Sequence, residues 1–309
     1  MNVSYAEING WYRHINAMGK AVGTNFSSCQ YGNLFEFGWD VAKAWPNKQV
    51  DCSAAAIARS NATQLLCHTQ RLLKERYGTA LLFSPEDPDP NSGELVCGGL
   101  DGSCIMDPHP ELPYLQHVLD MARTSIAKVP SSGVCIDRQD WIGSVNPNAD
   151  DRRTWLPLKT AGQFKAVRSM IFSWKPAMEA FASVWHEQGQ AVIINDHSNR
   201  LDMFEHVDGV YAEMGDSDAG SAGEGSLNSH AIGTALATTG PMVNYIWNHP
   251  KPQAKMTVRY VSQSLMTHMW AGVFPTIPVK NNDHALGGDC APVRLSSTCS
   301  LAPPFLIQI

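Results

Sequence analysis

The chain has 309 residues, 44% of them hydrophobic and 17% charged, enough for one large α/β domain or two ordinary ones with a real core. A formal net charge of -6, with no run of Lys or Arg, argues against a nucleic-acid or anionic-membrane partner. No apolar segment approaches the roughly 20 residues that span a bilayer, and Met1 to Glu7 lacks the charged-then-apolar pattern of a signal peptide, so a soluble chain is expected.

In chain order, Ile8, Trp11, Tyr12, Ile15 and Met18 recur at helical intervals and predict a helix over 6–22, ended by Gly23. A strand is expected over Tyr31 to Gly38, with Asn33 and Glu36 near its end. A long helix follows from Ser53 to Tyr77, with Ile57, Leu65, Leu66, Leu72 and Leu73 as its expected buried members. Gly78 to Ser84 could form a short strand beyond the six of the alternation, after which Pro85, Pro88, Pro90 and a Gly-rich piece reaching Gly102 predict a long excursion.

Pro110 to Lys128 returns to helix, with Leu115, Val118, Leu119, Ala122 and Ile126 on one stripe, and feeds a strand at Val134. Asn146 to Lys159 reads as a polar loop. Lys165 to Gln188 reads as a helix, with Met178, Phe181 and Trp185 in register, leading to a strand at Val192. A short helix over Arg200 to His206 joins that strand to one at Val210. The alternation continues through a helix at Ser226 to Thr234, a strand within Ala235 to Trp247, a helix at Val261 to Trp270 and a strand at Val273. Strands separated regularly by helices imply parallel pairing, and a closed (β/α)8 TIM-type barrel is the largest common solution. Six strands are countable where eight are required. The expectation is therefore an α/β barrel over 1–286 lacking its first two βα units, followed by an irregular tail over 287–309.

Eight cysteines are even in number, yet none has zinc spacing, and no metal or cofactor is expected. Cys97 and Cys104 flank a glycine-rich loop and suit either a disulfide or two free thiols. Asn2-Val-Ser, Asn25-Phe-Ser and Asn61-Ala-Thr are glycosylation sequons. Their use, with that disulfide, would place the chain in a secreted or lumenal compartment. The sequence is silent on oligomeric state.

Three successive strands end in acids: Ser132 to Trp141 (SGVCIDRQDW), Ala191 to His197 (AVIINDH) and Val207 to Gly215 (VDGVYAEMG). The loops at strand C-termini form the active site of such barrels. A carboxylate pair across the mouth is what glycoside hydrolysis needs, one as nucleophile or base and the other as proton donor. Asp137 shares a strand face with Cys135 and is the expected nucleophile; Glu213, with Tyr211 on its own face, is the expected acid/base. The bland alternative makes these acids strand-end caps or partners of Arg138 and Arg200. Asp140 is a weaker acid candidate, and Asp208 reads as a turn residue before Gly209. Glu36, Asp140, Trp141, Asn195, Asp196, His197, Asn282, Asp283 and His284 are the expected substrate-binding residues, with Trp39 and Trp155 as further indoles able to stack on sugars. Asp196 and His197 also suit a metal, which makes a metal-dependent hydrolase one rival; a barrel that binds carbohydrate without cleaving it is the other.

Together, Gly133 to Trp141, Asn195 to Asp202, His206 to Glu213 and Asn281 to His284 resemble a family of uncharacterised glycoside-hydrolase-like (β/α)8 barrels, over most of residues 30–285. The chain is distantly similar to α-glycosidase barrels, including α-galactosidases and endo-α-N-acetylgalactosaminidases. The resemblance implies a nucleophilic Asp at the end of the fourth strand, the position of Asp137, and an α-linked glycan as substrate. It also implies an acid/base at the end of the sixth strand, usually Asp where this chain has Glu213. The retaining barrels with catalytic Glu on strands four and seven are a poorer match, because Thr238 to Val243 carries no acid.

Overall fold

The structure is a computed structural model that describes most of residues 10–137, 143–157, 162–195 and 205–214, the short strands at 242–246, 273–275 and 307–308, and residues 266 and 269. Two compact units divide the chain: Met1–Gly32, Thr124–Gln139 and Trp185–Ile309 form the first, Asn33–Arg123 and Asp140–Val184 the second.

The first unit is built on a six-stranded parallel sheet of β1 (Cys29–Gly32), β2 (Gly133–Ile136), β3 (Ala191–Asn195), β4 (Gly209–Met214), β5 (Met242–Ile246) and β6 (Val273–Pro275), which lie side by side in chain order. Five of the six expected strands stand where expected, the first is displaced to Cys29–Gly32, and the fold is mixed α/β. Among the described residues no pairing joins β6 back to β1. One face carries Val134, Ile136, Val192, Ile194 and Val210, all buried, which is the aliphatic surface a parallel sheet hides from water. The other carries Cys29 and Tyr31, Cys135 and Ile193, in register across β1, β2 and β3. On that face a disulfide joins Cys29 to Cys135.

Gly133 opens β2 because nothing larger fits: a Cβ there would lie 2.1 Å from the Ala191 carbonyl oxygen. Described residues between 10 and 21 are helical, as periodicity predicts, and Tyr12 donates its hydroxyl to the Cys29 carbonyl at 2.6 Å. Burial pushes the Tyr12 phenol up to about 12. The tail, expected irregular, contributes a two-residue strand, Ile307–Gln308, antiparallel to Phe26–Ser27.

The strand expected over Tyr31 to Gly38 is split. Pairing in the sheet stops at Gly32, residues 34–35 turn, and Glu36–Phe37 pair antiparallel with Cys104–Ile105 in the second unit. The long helix expected from Ser53 to Tyr77 is interrupted at Ser60, whose extended backbone ends α1 (Ala54–Arg59) and whose hydroxyl caps α2 (Asn61–Leu72) by accepting from Thr63 N. A π-helical turn, Leu73–Tyr77, completes it.

The buried face of α2 also differs from the aliphatic stripe expected. Leu65 is 47% exposed, whereas Cys67, Thr69 and Gln70 are buried. Cys67 is bridged to Cys52, Thr69 Oγ1 accepts from Trp39 N, and Gln70 Nε2 donates to the Ala44 and Lys48 carbonyls. Specific bonds, rather than leucines, turn this helix. Gly78–Ala80 forms a 3-10 turn where a strand was expected, and Leu81 and Phe83 enter isolated bridges to Met106, Leu95 and Val145. Cys97 and Cys104 are joined by a disulfide.

The helix α3 (Pro113–Lys128) buries Leu115, Val118 and Ala122 as its stripe predicts. The helix expected from Lys165 begins only at Met170, and α4 (Met170–His186) buries Met178, Phe181 and Trp185. The residues before it, Phe164–Ser169, pair antiparallel with Thr154–Pro157 and with Val145–Asn146, where a polar loop was expected. Asp151 drives that local choice. Its carboxylate accepts from Arg153 N, Thr154 N, Thr154 Oγ1 and Ser169 N at 2.7–2.9 Å, clamping both ends of the hairpin.

Partial burial raises the Asp151 pKa, but the bonds from Ser169, Thr154 and Arg153 outweigh it and hold the group below its ordinary 3.8. Because the folded value is depressed, the stabilisation is present above the unfolded pKa and is lost as pH falls through the folded one. Asp151→Ala is expected to lower stability by about 1–2 kcal/mol at neutral pH, and by less in acid, in denaturant unfolding. The Cys29–Cys135 bridge spans 106 residues of sequence, so replacing both cysteines by Ala, or reduction, should cost about 2–4 kcal/mol in the same assay.

Candidate active site

Asp137 is the first residue beyond β2, a strand buried along its whole length. Its own N–H donates to the Gly32 carbonyl at 3.1 Å, so the ladder with β1 continues through it and the backbone is fixed where the carboxylate begins. Alternation puts Asp137 on the face of Cys135, and two neighbouring side chains on that face hold it. From β3, Asn195 Nδ2 donates to Oδ1 at 2.7 Å; from β1, the Tyr31 hydroxyl donates to Oδ2. Asp137 and Asn195 are buried while Tyr31 is 46% exposed, so the cluster grades from sheet interior to solvent.

The chemistry follows from the bonding. Each carboxylate oxygen accepts from a neutral donor, which keeps the group in one orientation and suits a nucleophile or base. The Cys29–Cys135 bridge lies two residues before Tyr31 on β1 and two before Asp137 on β2, tying together the strands that carry donor and acceptor.

Asp137 and Asn195, both expected in the site, are therefore brought together, with Asn195 acting on the carboxylate itself. Glu213 lies on β4. Tyr211 pairs with Asn195 across β3 and β4, and Glu213 stands two residues farther on, opposite Tyr245 of β5. Asp208, expected as a turn residue, sits just before β4, where its Oδ2 accepts from Val192 N at 2.7 Å and lies 2.8 Å from His186 Nε2. Glu36 belongs to the second unit, where its Oε2 accepts from Asn33 Nδ2 and Ser103 Oγ, both at 3.2 Å. Asp140, Trp141, Arg138, Asp196, His197, Arg200, Asn282, Asp283 and His284 lie outside the described residues. Trp155 is exposed on the Thr154–Pro157 strand.

The second unit holds a groove of about 480 Å³ lined by Lys43, Asp51, Arg59, Ser60, Thr63 and Leu66 among others, none of them an expected site residue. Among the described residues no group of three or more His, Cys, Asp or Glu side chains could hold a metal.

Sequence reasoning missed Tyr31 as a site residue. The signal was available as the alternation of Cys29, Tyr31 and the run into Asn33, but it acquires meaning only once β1 is known to lie beside β2. Compared with known proteins, the chain matches no protein-family model and no curated protein.

The two donors to Asp137 should differ in weight. Asn195→Ala leaves a buried acceptor without its amide and is expected to cost about 1–3 kcal/mol, whereas Tyr31→Phe, at a half-exposed position that water can reach, should cost less than about 1 kcal/mol. Asn195→Asp puts a second carboxylate against Asp137, and its destabilisation should grow as pH rises through the titration of the pair. Urea unfolding of the three variants between acid and neutral pH checks the order.

Proposed function

We propose that the chain is a glycoside hydrolase acting on an α-linked glycan, with Asp137 as nucleophile and Glu213 as proton donor, in a (β/α)8-type barrel to which the six-stranded sheet belongs. The observation that carries this reading is the carboxylate of Asp137 at the C-terminal end of an interior parallel strand, held as an acceptor on both oxygens by Tyr31 and Asn195. Ligands meet parallel sheets at that end. Strand order supports the barrel: β1 to β6 follow one another without the reversal that marks a doubly wound sheet.

In the proposed reaction an Asp137 oxygen attacks the anomeric carbon as the glycosidic C–O bond breaks. The leaving oxygen takes a proton from Glu213, and water then cleaves the glycosyl ester with Glu213 recovering its proton. The orienting bonds from Tyr31 and Asn195 remove the need to align the carboxylate during attack. Glu213 is two strands from Asp137 and two residues farther along. At about 4.8 Å per strand and 3.3 Å per residue, this puts the two Cα atoms roughly 12 Å apart in a flat sheet, a span from which two carboxylates can converge on one bond.

A panel of aryl α- and β-glycosides, with mass analysis of trapped enzyme, tests the reading. Turnover is expected on an α-glycoside, with Asp137→Ala inactive and partly rescued by azide, and Glu213→Gln slowed by about 10²–10⁴-fold on substrates with poor leaving groups. Exhaustive chelation should leave the rate unchanged. Sugar binding without turnover would replace this reading by the non-catalytic barrel; loss of activity on chelation would replace it by the metal-dependent one.

A further inference from the structure

The sequon Asn61-Ala62-Thr63 lies wholly among the described residues, whereas Asn2 and Asn25 do not. Asn61 is the first residue of α2 and is exposed. The helix is capped from Ser60, so the Asn61 amide is not needed for capping, and among the described residues no hydrogen bond engages it.

Two independent features point to a modification there. The sequon sits inside the segment closed by Cys52–Cys67, and Cys29–Cys135 and Cys97–Cys104 are also bridged. Structural disulfides belong to oxidising compartments, where asparagine-linked glycans are added. Leu65, expected in the core, is instead 47% exposed one turn after Asn61, so the two lie on one solvent-facing stripe of the helix and the amide is accessible to a transferase.

We propose that Asn61 carries an N-linked glycan, and that the chain matures in an oxidising secretory compartment. In the transfer, Asn61 Nδ2 forms a bond to the anomeric carbon of a lipid-linked oligosaccharide pyrophosphate. The bond from that carbon to the pyrophosphate oxygen breaks, the lipid pyrophosphate leaves with the electron pair, and one amide proton passes to the transferase. This inference is independent of the proposed activity, because neither Asn61 nor Thr63 belongs to the Asp137 cluster.

The full chain, expressed behind a cleavable secretion leader in eukaryotic cells, provides the test. Peptide mapping after treatment with a glycan-releasing amidase should read position 61 as Asp, and the untreated peptide should carry the glycan mass. Asn61→Gln and Thr63→Ala should each abolish that mass, and Thr63→Ser should retain it. Secreted protein with Cys52–Cys67 bridged and Asn61 unmodified would overturn the proposal, as would retention of the glycan on this peptide in Thr63→Ala.

Discussion

The register of three adjacent parallel strands is the constraint on which the site depends. Side chains alternate with period two, so slipping β2 by one residue would turn Asp137 onto the face of Val192, Ile194 and Val210, among aliphatic side chains. Three features hold the register. Gly133 admits the Ala191 carbonyl where any Cβ would collide, the Cys29–Cys135 bridge joins paired strands on the site face, and Asp137 itself closes a backbone bond to Gly32. The hydrophobic pattern drives the strands together; these local features decide which of the alternative pairings survives.

A buried carboxylate is not by itself a functional sign, and the second unit supplies the comparison. Asp107 is fully buried, accepts from Asn146 Nδ2 at 2.8 Å and from His109 N at 3.0 Å, and lies 3.8 Å from Arg168 Nη1. Arg168 also bonds Glu111. That is charge answered by charge inside a core, an arrangement that specifies packing. Asp137 differs in its place at a strand end beside a half-exposed tyrosine, and the phenol and the amide that donate to its two oxygens fix its direction.

The strands were legible because Val134, Ile193 and Val210 sit in short apolar runs bounded by glycine or turn residues, and such runs report burial on both faces. Asp137 was legible for the same reason, since it is the point where an apolar run stops. Interactions between distant segments left no such trace. Nothing local couples Cys29 to Cys135 across 106 residues, or Tyr31 to Asp137, and Asn195 read as a substrate ligand because its partner lies on another strand. The hairpin before α4 was hidden because one aspartate, Asp151, outweighs the helical periodicity around it. On α2 a disulfide and two polar anchors override the leucine stripe.

The proposed division of labour asks two carboxyls to differ, because a nucleophile must stay ionised and a proton donor must stay protonated at the same pH. Register places the two acids unequally. Asp137 follows Ile136, which pairs with Ile194 of β3, so it stands level with Asn195 and Tyr211, and it is buried with a donor on each oxygen. Glu213 stands two residues beyond that row on β4, opposite Tyr245 of β5. Two acids at one level of adjacent strands would share a single environment; acids staggered by two residues across two strands need not.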